Sequence, residues 1–364
     1  MSPTKKIANL KPPADKAVTQ YSDTYFDALL VVSFGGPEGE DDVLPFLRNV
    51  TRGRNVPPER LEEVANHYSI FNGVSPINSQ NRSLIDELRT SLNNCGVELP
   101  IYFGNRNWHP LLTDTLNEMT NAGVKRALGL FTTAYSSYSS CRQYRENIYQ
   151  AQVACGENSP EVLKIRPFYN HPLFIKANSS RLEAVLEKLS ANRQTTRVIF
   201  TAHSIPESMA KNCHYQKQLE ETARLTAEQV GFEQFELAYQ SRSGPPHIPW
   251  IGPDICDRIQ DLKKTSVTDI VLSPIGFLSD HIEVLFDLDI EAFETAQEVG
   301  IALHRAESVG THPMFIEALT HLVQERLTTD TSTLTAHPQN KNQKYCGPHC
   351  CLPGTGAVSP WEEN

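Results

Sequence analysis

Short apolar runs alternate along the chain with longer segments of helical period. The runs are ALLVVSF from Ala28, LPIYFG, VKRALGLF, RVIFTA, FELAYQ and DIVLSPIGF, and each is followed by a stretch in which apolar residues recur every three or four positions. Such alternation of strand-like and helix-like segments is typical of βαβ units built around a parallel sheet. The sequence therefore predicts an α/β protein.

Two halves of the chain carry similar patterns in the same order. Residues 31–38 match residues 200–207, each a hydrophobic strand followed by a small-residue turn that ends in Pro-Glu, and residues 124–140 match 267–283. The repeat predicts two similar Rossmann-like lobes, each a doubly wound parallel sheet. Because ligands bind at the carboxyl ends of parallel strands, we expect a cleft between the lobes, with Phe34 on one wall and His203 on the other.

The same patterns suggest where the parts of the chain begin and end. Residues 313–327 open with proline and place apolar residues on one helical face, so they predict a final helix. We expect a disordered leader over 1–22, an N-terminal lobe over 23–170, a C-terminal lobe over 171–312, a C-terminal helix over 313–328, and a cysteine-bearing tail over 329–364.

Composition narrows the class of protein. The chain has 364 residues, a net charge of −10 and 39% hydrophobic residues, which suits a globular protein of about two domains. The acidic balance disfavours nucleic acid and anionic membranes as partners. The apolar runs are shorter than the roughly 18 residues that cross a bilayer, so we expect no stable membrane association. We expect a monomer in the cytoplasm. In that compartment the eight cysteines are expected to be thiols or metal ligands.

Two segments carry candidate chemistry. His203 follows the strand RVIFTA, where an imidazole can move a proton, bind a transition metal or merely cap the next helix. Glu283, Asp287 and Glu291 stand in steps of four, so a helix would stack them on one face, where like charges repel. A solvated acidic face is one interpretation. Because the segment is also rich in apolar residues, a cleft that binds a cation is the other, with His281 and His203 as nitrogen ligands.

Several common signatures are absent from the sequence. It contains no G-x-G-x-x-G after a strand, no Walker A lysine and no G-x-S-x-G elbow. Dinucleotide, nucleoside-triphosphate and serine-hydrolase chemistry therefore lack their usual motifs.

The sequence resembles the ferrochelatases from residue 27 to about residue 320. The matching segments include LLVVSFGGPEG, GVSPIN, YFGNRNWHP, FTAHSIPES, YQSRSGPP and SPIGFLSDHIEVLFDLD. It is most similar to the actinobacterial branch, whose members act on coproporphyrin III. The resemblance implies a lyase that inserts Fe2+ into coproporphyrin III during haem biosynthesis.

The resemblance also implies roles for the acidic segment and for Phe34. His203 and Glu283 match the family's catalytic pair, which accepts protons and handles the metal. Asp287 and Glu291 would pass iron inward. Other branches carry a tyrosine at the position of Phe34 that can ligate the product iron, and a phenylalanine cannot do so.

The porphyrin's propionates need donors. The resemblance assigns Ser75 and Tyr144 to them, with Arg52 and Arg54 as helpers, although arginines in a loop can equally be solvated. The Thr-Arg-Gly-Arg stretch that begins at Thr51 replaces the apolar lip of membrane-associated members.

The cysteines of the tail form a separate candidate site. Some ferrochelatases hold a two-iron two-sulfur (2Fe-2S) cluster with three C-terminal cysteines and an internal one, and such a cluster takes four thiolates. Cys346, Cys350 and Cys351 would supply three. Cys155 is the expected fourth ligand and Cys141 the alternative. A zinc site that includes His349 is the competing interpretation.

Three other functions stay open at this point. The first is a ferrochelatase that acts on protoporphyrin IX, and the second is a cobalt or nickel chelatase for another tetrapyrrole. The third is a tetrapyrrole or metal carrier on the same scaffold, which would have no need of His203 beside Glu283.

Overall fold

A computed structural model describes residues 24–53, 56–189, 192–328, 333–336, 346–347 and 349–356. In this part of the chain the strands are β1 Ala28–Ser33, β2 Ile101–Asn105, β3 Arg126–Phe131, β4 Glu161–Lys164, β5 Thr196–His203, β6 Phe235–Gln240, β7 Asp269–Ser273 and β8 Ala302–Arg305. The helices are α1 Glu40–Val50, α2 Pro58–Ser69, α3 Ile77–Asn94, α4 Leu112–Asn121, α5 Gln143–Cys155, α6 Pro172–Lys188, α7 Glu207–Ala210, α8 Tyr215–Val230, α9 Ile255–Leu262, α10 Ile282–Phe286, α11 Ala292–Val299 and α12 Pro313–Leu327. Two π-helical turns, Tyr138–Arg142 and Asp287–Glu291, precede α5 and α11.

The strands form two four-stranded parallel sheets with the same order. The first sheet runs β2-β1-β3-β4 and the second runs β6-β5-β7-β8. All six residues of the central strand β1 are buried, because helices cover both faces of a parallel sheet. This arrangement confirms the predicted α/β fold with two similar lobes.

Two edge strands escaped the sequence patterns. β4 has the sequence EVLK and β8 the sequence ALHR, and each is only four residues long and partly exposed. A short edge strand needs no continuous apolar run, so neither segment differs in sequence from a loop. The six strands that the apolar runs predicted are all present.

One hydrophobic core joins the lobes along their back. It contains Leu128 of the first sheet and Val198 of the second. Phe174 of α6 and Phe315 of α12 pack against Phe168 between them. The final helix, α12, spans Pro313–Leu327, the stretch whose apolar period predicted a helix. Because this core fixes the lobes at the back, the carboxyl ends of β1 and β5 can face each other at the front.

Some predictions fall on residues without a description. The predicted leader, Arg54 and most of the tail lie outside the described residues, and the lobe boundaries stay predictions. Among the helices that are described, none is both long and apolar enough to cross a membrane.

Candidate active site

His203 is the last residue of β5, at the carboxyl edge of the second sheet. Its backbone carbonyl accepts a hydrogen bond of 3.0 Å from the hydroxyl of Tyr215. Its ring Nδ1 contacts the carbonyl oxygen of Ser204, and since a carbonyl only accepts, Nδ1 must carry the proton. Nε2 of the neutral ring therefore keeps its lone pair and can act as a base.

Glu283 lies in front of that nitrogen. Its Oε2 is 3.7 Å from Nε2 of His203 and 3.9 Å from Nδ1 of His281. The loop that precedes α10 runs so close to β5 that a Cβ on Gly276 would lie 2.5 Å from Cβ of Ala202. The side chains of His203 and Glu283 stay 31% and 52% exposed. The structure thus brings together the predicted catalytic pair in a position open to a substrate.

His281 differs from His203 in its surroundings. It is the N-cap residue of α10. Burial lowers the pKa of its imidazole, with the charge of Glu283 opposing the shift. His281 is thus a neutral neighbour of the pair at ordinary pH.

The spacing of the carboxylates predicted a regular α-helix, but the segment beyond Glu283 departs from one. Asp287–Glu291 is a π-helical turn between α10 and α11, a feature that is rare and is often found at functional sites. Burial raises the pKa of Asp287 to about 7, and the charges of Glu283 and Glu291 add to the shift. Ser241 and Gln240, at the end of β6, donate hydrogen bonds to its Oδ2 and oppose it.

Glu291 stands at the outer end of this row. Burial raises the pKa of its carboxyl, and the nearby charges of Asp254 and Glu294 raise it further. Asp254 caps the N-terminus of α9, and burial raises its pKa as well. Asp287, with a pKa of about 7, loses part of its charge near neutral pH, so it would hold a cation weakly.

The opposite wall of the site is apolar and comes from the first lobe. Phe34 lies directly after β1 and packs against Phe46 of α1, with 6.2 Å between the two ring centres. The same cluster includes Ile282 of α10. His67 of α2 stacks on Phe286 at 3.8 Å. Phe34 therefore belongs to the apolar surface that reaches the helix bearing Glu283.

The residues predicted to hold propionates have different positions. Ser75 is buried at 4% exposure beside Gly36, whereas Arg52 is exposed and donates to Oδ1 of Asn49 at 2.6 Å. Tyr144 is buried at 5% exposure, with the guanidinium of Arg106 4.6 Å from its ring centre.

Sequence reasoning missed three polar residues of the site. The guanidinium of Arg106 is also 5.5 Å from the ring centre of Phe34, which makes it the cation beside that wall. Gln240 and Ser241 contact Asp287. All three directly follow or end the equivalent strands β2 and β6, and polar residues at the carboxyl end of a strand were the signal that could have found them.

The structure places Cys141, and not the expected Cys155, beside the cysteines of the tail. Hydrogen bonds lower the pKa of Cys141 well below its usual value, with Cys346 and Cys351 as the partners, and Cys350 in turn contacts Cys346 and Cys351. Cys155 lies at the far end of α5, where its thiol donates to the carbonyl of Thr113.

Cys141 and Cys155 are too far apart to serve as alternative ligands at one position. Cys155 follows Cys141 by fourteen helical steps, which at 1.5 Å each is about 20 Å, so the described cysteines of the tail reach Cys141 and not Cys155. Basic side chains surround these thiols. Nη1 of Arg145 is 3.5 Å from Sγ of Cys350. Against the opposing effect of desolvation, the charges of Cys141 and Cys346 raise the pKa of the half-buried Lys164. Within the described ranges, no group of three or more His, Cys, Asp or Glu side chains is arranged around a position for a metal ion.

Comparison with known proteins gives one consistent family. The ferrochelatase family model matches residues 26–327. A ferrochelatase of Rhodopirellula baltica is 50% identical over 328 residues, which cover 90% of this chain and 93% of that protein. A coproporphyrin III ferrochelatase of Nocardia farcinica is 47% identical and covers 83% and 88%.

The fold has solved relatives at much lower identity. SirB from Bacillus subtilis with Fe3+ has a TM-score of 0.51 at 14% identity, covering 85% of this chain and 99% of that one. CbiX, described as the terminal enzyme of sirohaem biosynthesis in denitrifying bacteria, has a TM-score of 0.50 at 12% identity, covering 83% and 100%. These two structures share the two-lobed fold.

Proposed function

The chain belongs to the ferrochelatase family, and from this premise we propose that it inserts Fe2+ into coproporphyrin III. The observation that carries the proposal is His203 Nε2 at 3.7 Å from Glu283 Oε2, opposite an apolar wall. Relatives named as coproporphyrin III ferrochelatases support the choice of porphyrin, at 47% identity in Nocardia farcinica and 48% in Streptomyces coelicolor.

The chemistry follows from the porphyrin. A porphyrin is a flat apolar disc with two pyrrole N–H groups, and both protons must leave as the metal enters. Nε2 of His203 carries a lone pair and accepts a proton. The carboxylate of Glu283 stabilises the imidazolium that forms and can take the proton onward. The apolar wall with Phe34 and Phe46 receives the face of the disc.

Iron would reach the pair along the carboxylates. Glu291 is the outer position and Asp287 the middle one. Asp287, with its pKa at about 7, is only partly charged near neutral pH, so it attracts Fe2+ without retaining it. Oxygen donors of this kind suit a labile cation that must be passed on.

Four propionates distinguish coproporphyrin from protoporphyrin, which has two. Charge-assisted hydrogen bonds from the protein would select the more anionic substrate. Ser75, Arg52, Arg54 and Tyr144 stay the proposed partners, and Arg106 joins them because it lies between the rings of Phe34 and Tyr144.

The decisive experiment compares the two porphyrins and two histidine variants. The wild-type protein should insert Fe2+ anaerobically into coproporphyrin III with a kcat/KM at least about tenfold above that for protoporphyrin IX. His203→Ala should abolish insertion while coproporphyrin fluorescence still reports binding. The side chain of the exposed His214 accepts no capping hydrogen bond from α8, so His214→Ala is the matched control and should keep wild-type turnover. Equal rates with both porphyrins would refute the substrate choice, and an active His203→Ala would refute the catalytic role.

A second part of the proposal concerns the tail. We propose that Cys141, Cys346, Cys350 and Cys351 hold a 2Fe-2S cluster. Their thiols lie in mutual contact, and Lys164 and Arg145 provide the positive charge that favours thiolates. When bound, such a cluster would cross-link the tail to the first lobe. Purified protein should be red-brown with about two iron and two labile sulfides per chain, whereas a colourless protein with one zinc would favour the zinc alternative.

The setting of the enzyme belongs to the same proposal. We propose a cytoplasmic monomer that makes no stable membrane contact. Size-exclusion chromatography with light scattering tests the oligomeric state, and co-sedimentation with anionic vesicles tests membrane association. A dimer, or retention by the vesicles at physiological salt, would overturn the corresponding part.

A further inference from the structure

Arg305, the last residue of β8, contacts both ends of the segment that carries the active-site carboxylates. Its guanidinium forms two bonds to Asp289, Nε to Oδ1 at 2.5 Å and Nη2 to Oδ2 at 2.9 Å. It also reaches Asp280, with Nη1 to Oδ1 at 3.3 Å and Nη2 to Oδ2 at 3.4 Å. The side chain of Arg305 is 15% exposed and that of Asp280 is 18% exposed, whereas that of Asp289 is 37% exposed. The contacts to Asp280 are therefore partly buried and those to Asp289 lie at the surface.

The two aspartates bracket the site. Asp280 directly precedes His281, the N-cap residue of α10. Asp289 lies in the middle of the π-helical turn, between Asp287 and Glu291. One guanidinium therefore fixes the two ends of the stretch on which Glu283 and Asp287 are carried.

Asp280 extends this connection to the other lobe. Its backbone N–H donates a hydrogen bond of 2.8 Å to Oε1 of Gln80 in α3. The hydroxyl of Ser308 donates to its Oδ1. Through Asp280, the position of Arg305 is coupled to the first lobe as well as to the second.

Charge gives a second reason for an arginine at this position. Residues 280–291 contain five carboxylates and no lysine or arginine. Carboxylates at such spacing repel one another. Arg305 pairs with Asp280 and Asp289. Asp287 accepts hydrogen bonds from Ser241 and Gln240 instead, so the guanidinium of Arg305 contacts two carboxylates of the segment and leaves Asp287 to the site.

On the basis of the proposed function, we infer that Arg305 is a positioning residue for iron insertion. It touches neither porphyrin nor iron, and it acts by holding Asp280 and Asp289 so that Glu283 faces His203 and Asp287 faces Ser241. A planar fork can bridge two carboxylates, whereas the point charge of a lysine cannot. Charge alone is thus insufficient for the role.

The test separates positioning from general stability. Arg305→Ala should lower kcat/KM for Fe2+ by at least about tenfold, since displacements of about 1 Å at a site can cost more than that. The KM for coproporphyrin III should stay within about twofold, because the apolar wall is intact. Arg305→Lys should recover only part of the loss. Asp289→Asn removes one carboxylate partner and leaves the arginine in place. It should also lower kcat/KM for Fe2+, through a higher KM for Fe2+.

Arg258→Ala is the matched control. Arg258 forms a comparable two-bond ion pair with Glu236 of β6 in the same lobe, so its loss should lower the melting temperature and leave iron kinetics unchanged. Wild-type iron kinetics in both Arg305→Lys and Asp289→Asn would overturn the inference even if Arg305→Ala fails to fold. An inactive wild-type protein would instead overturn the proposed function.

Discussion

Asp287→Asn tests how strongly the fold penalises a charge in the middle of the acidic row. Burial raises the pKa of this carboxyl from 3.8 to about 7. The folded protein therefore binds a proton that the unfolded chain releases between these two pH values. By linkage, the stability that the neutral carboxyl gives is fully present below pH 3.8 and is lost as the pH rises through about 7.

The magnitude follows from the same two pKa values. Each unit of difference corresponds to about 1.4 kcal/mol. An asparagine cannot ionise, so the variant escapes the loss. Taken as equivalent to the neutral aspartic acid, it should exceed the wild type in free energy of unfolding by about 2 kcal/mol near pH 5 and about 4 kcal/mol near pH 8.

Urea unfolding of the iron-free protein at these two pH values measures the difference. Glu298→Gln provides the control, because Glu298 is an exposed carboxylate at the end of α11 and its loss should change stability equally at both. A difference for Asp287→Asn that does not grow with pH would refute the reasoning. The same variant should raise the KM for Fe2+, because it removes the charge that attracts the cation, and should change porphyrin binding little.

Two further predictions concern the tail. Cys141→Ala should remove the visible absorption of the proposed cluster, because this thiol contacts Cys346 and Cys351, whereas Cys155→Ala should keep it. Absorption spectra and iron analysis measure the effect, and the reverse outcome would make Cys155 the fourth ligand. Gly354→Ala should displace the tail from α7, because its Cβ would lie 2.5 Å from the carbonyl of Ser208, whereas Gly356 has a similar φ with open space around it. Limited proteolysis should therefore cleave the tail of Gly354→Ala faster than that of Gly356→Ala, and equal rates would refute the packing argument.

Local pattern determined much of the fold. Apolar runs and helical periods depend on neighbouring residues, so the six predicted strands and α12 could be read directly from the sequence. The similarity between the two halves indicated two equivalent lobes, and the sheets have the same strand order. The edge strands β4 and β8 were missed because four partly exposed residues leave no periodic signal.

The site was predicted in part. His203 and the row from Glu283 to Glu291 could be chosen from the sequence, because a strand end and a four-residue spacing are local features. The distance of 3.7 Å between His203 Nε2 and Glu283 Oε2 could not be predicted, since it depends on how β5 and the loop after β7 pack. The π-helical turn at Asp287 was equally invisible to a rule that assumes a regular helix.

Tertiary structure alone decided which partner each candidate meets. Asp287 and Asp289 are two positions apart and chemically identical, yet one contacts Ser241 at the end of β6 and the other contacts Arg305 at the end of β8. Cys141 and Cys155 occupy opposite ends of one helical stretch, and within the described part of the tail Cys346 and Cys351 contact Cys141. The sequence by itself determines which chemical groups and local elements are present. Contacts between residues distant in sequence exist only once the lobes have packed, and these contacts set the role of each group.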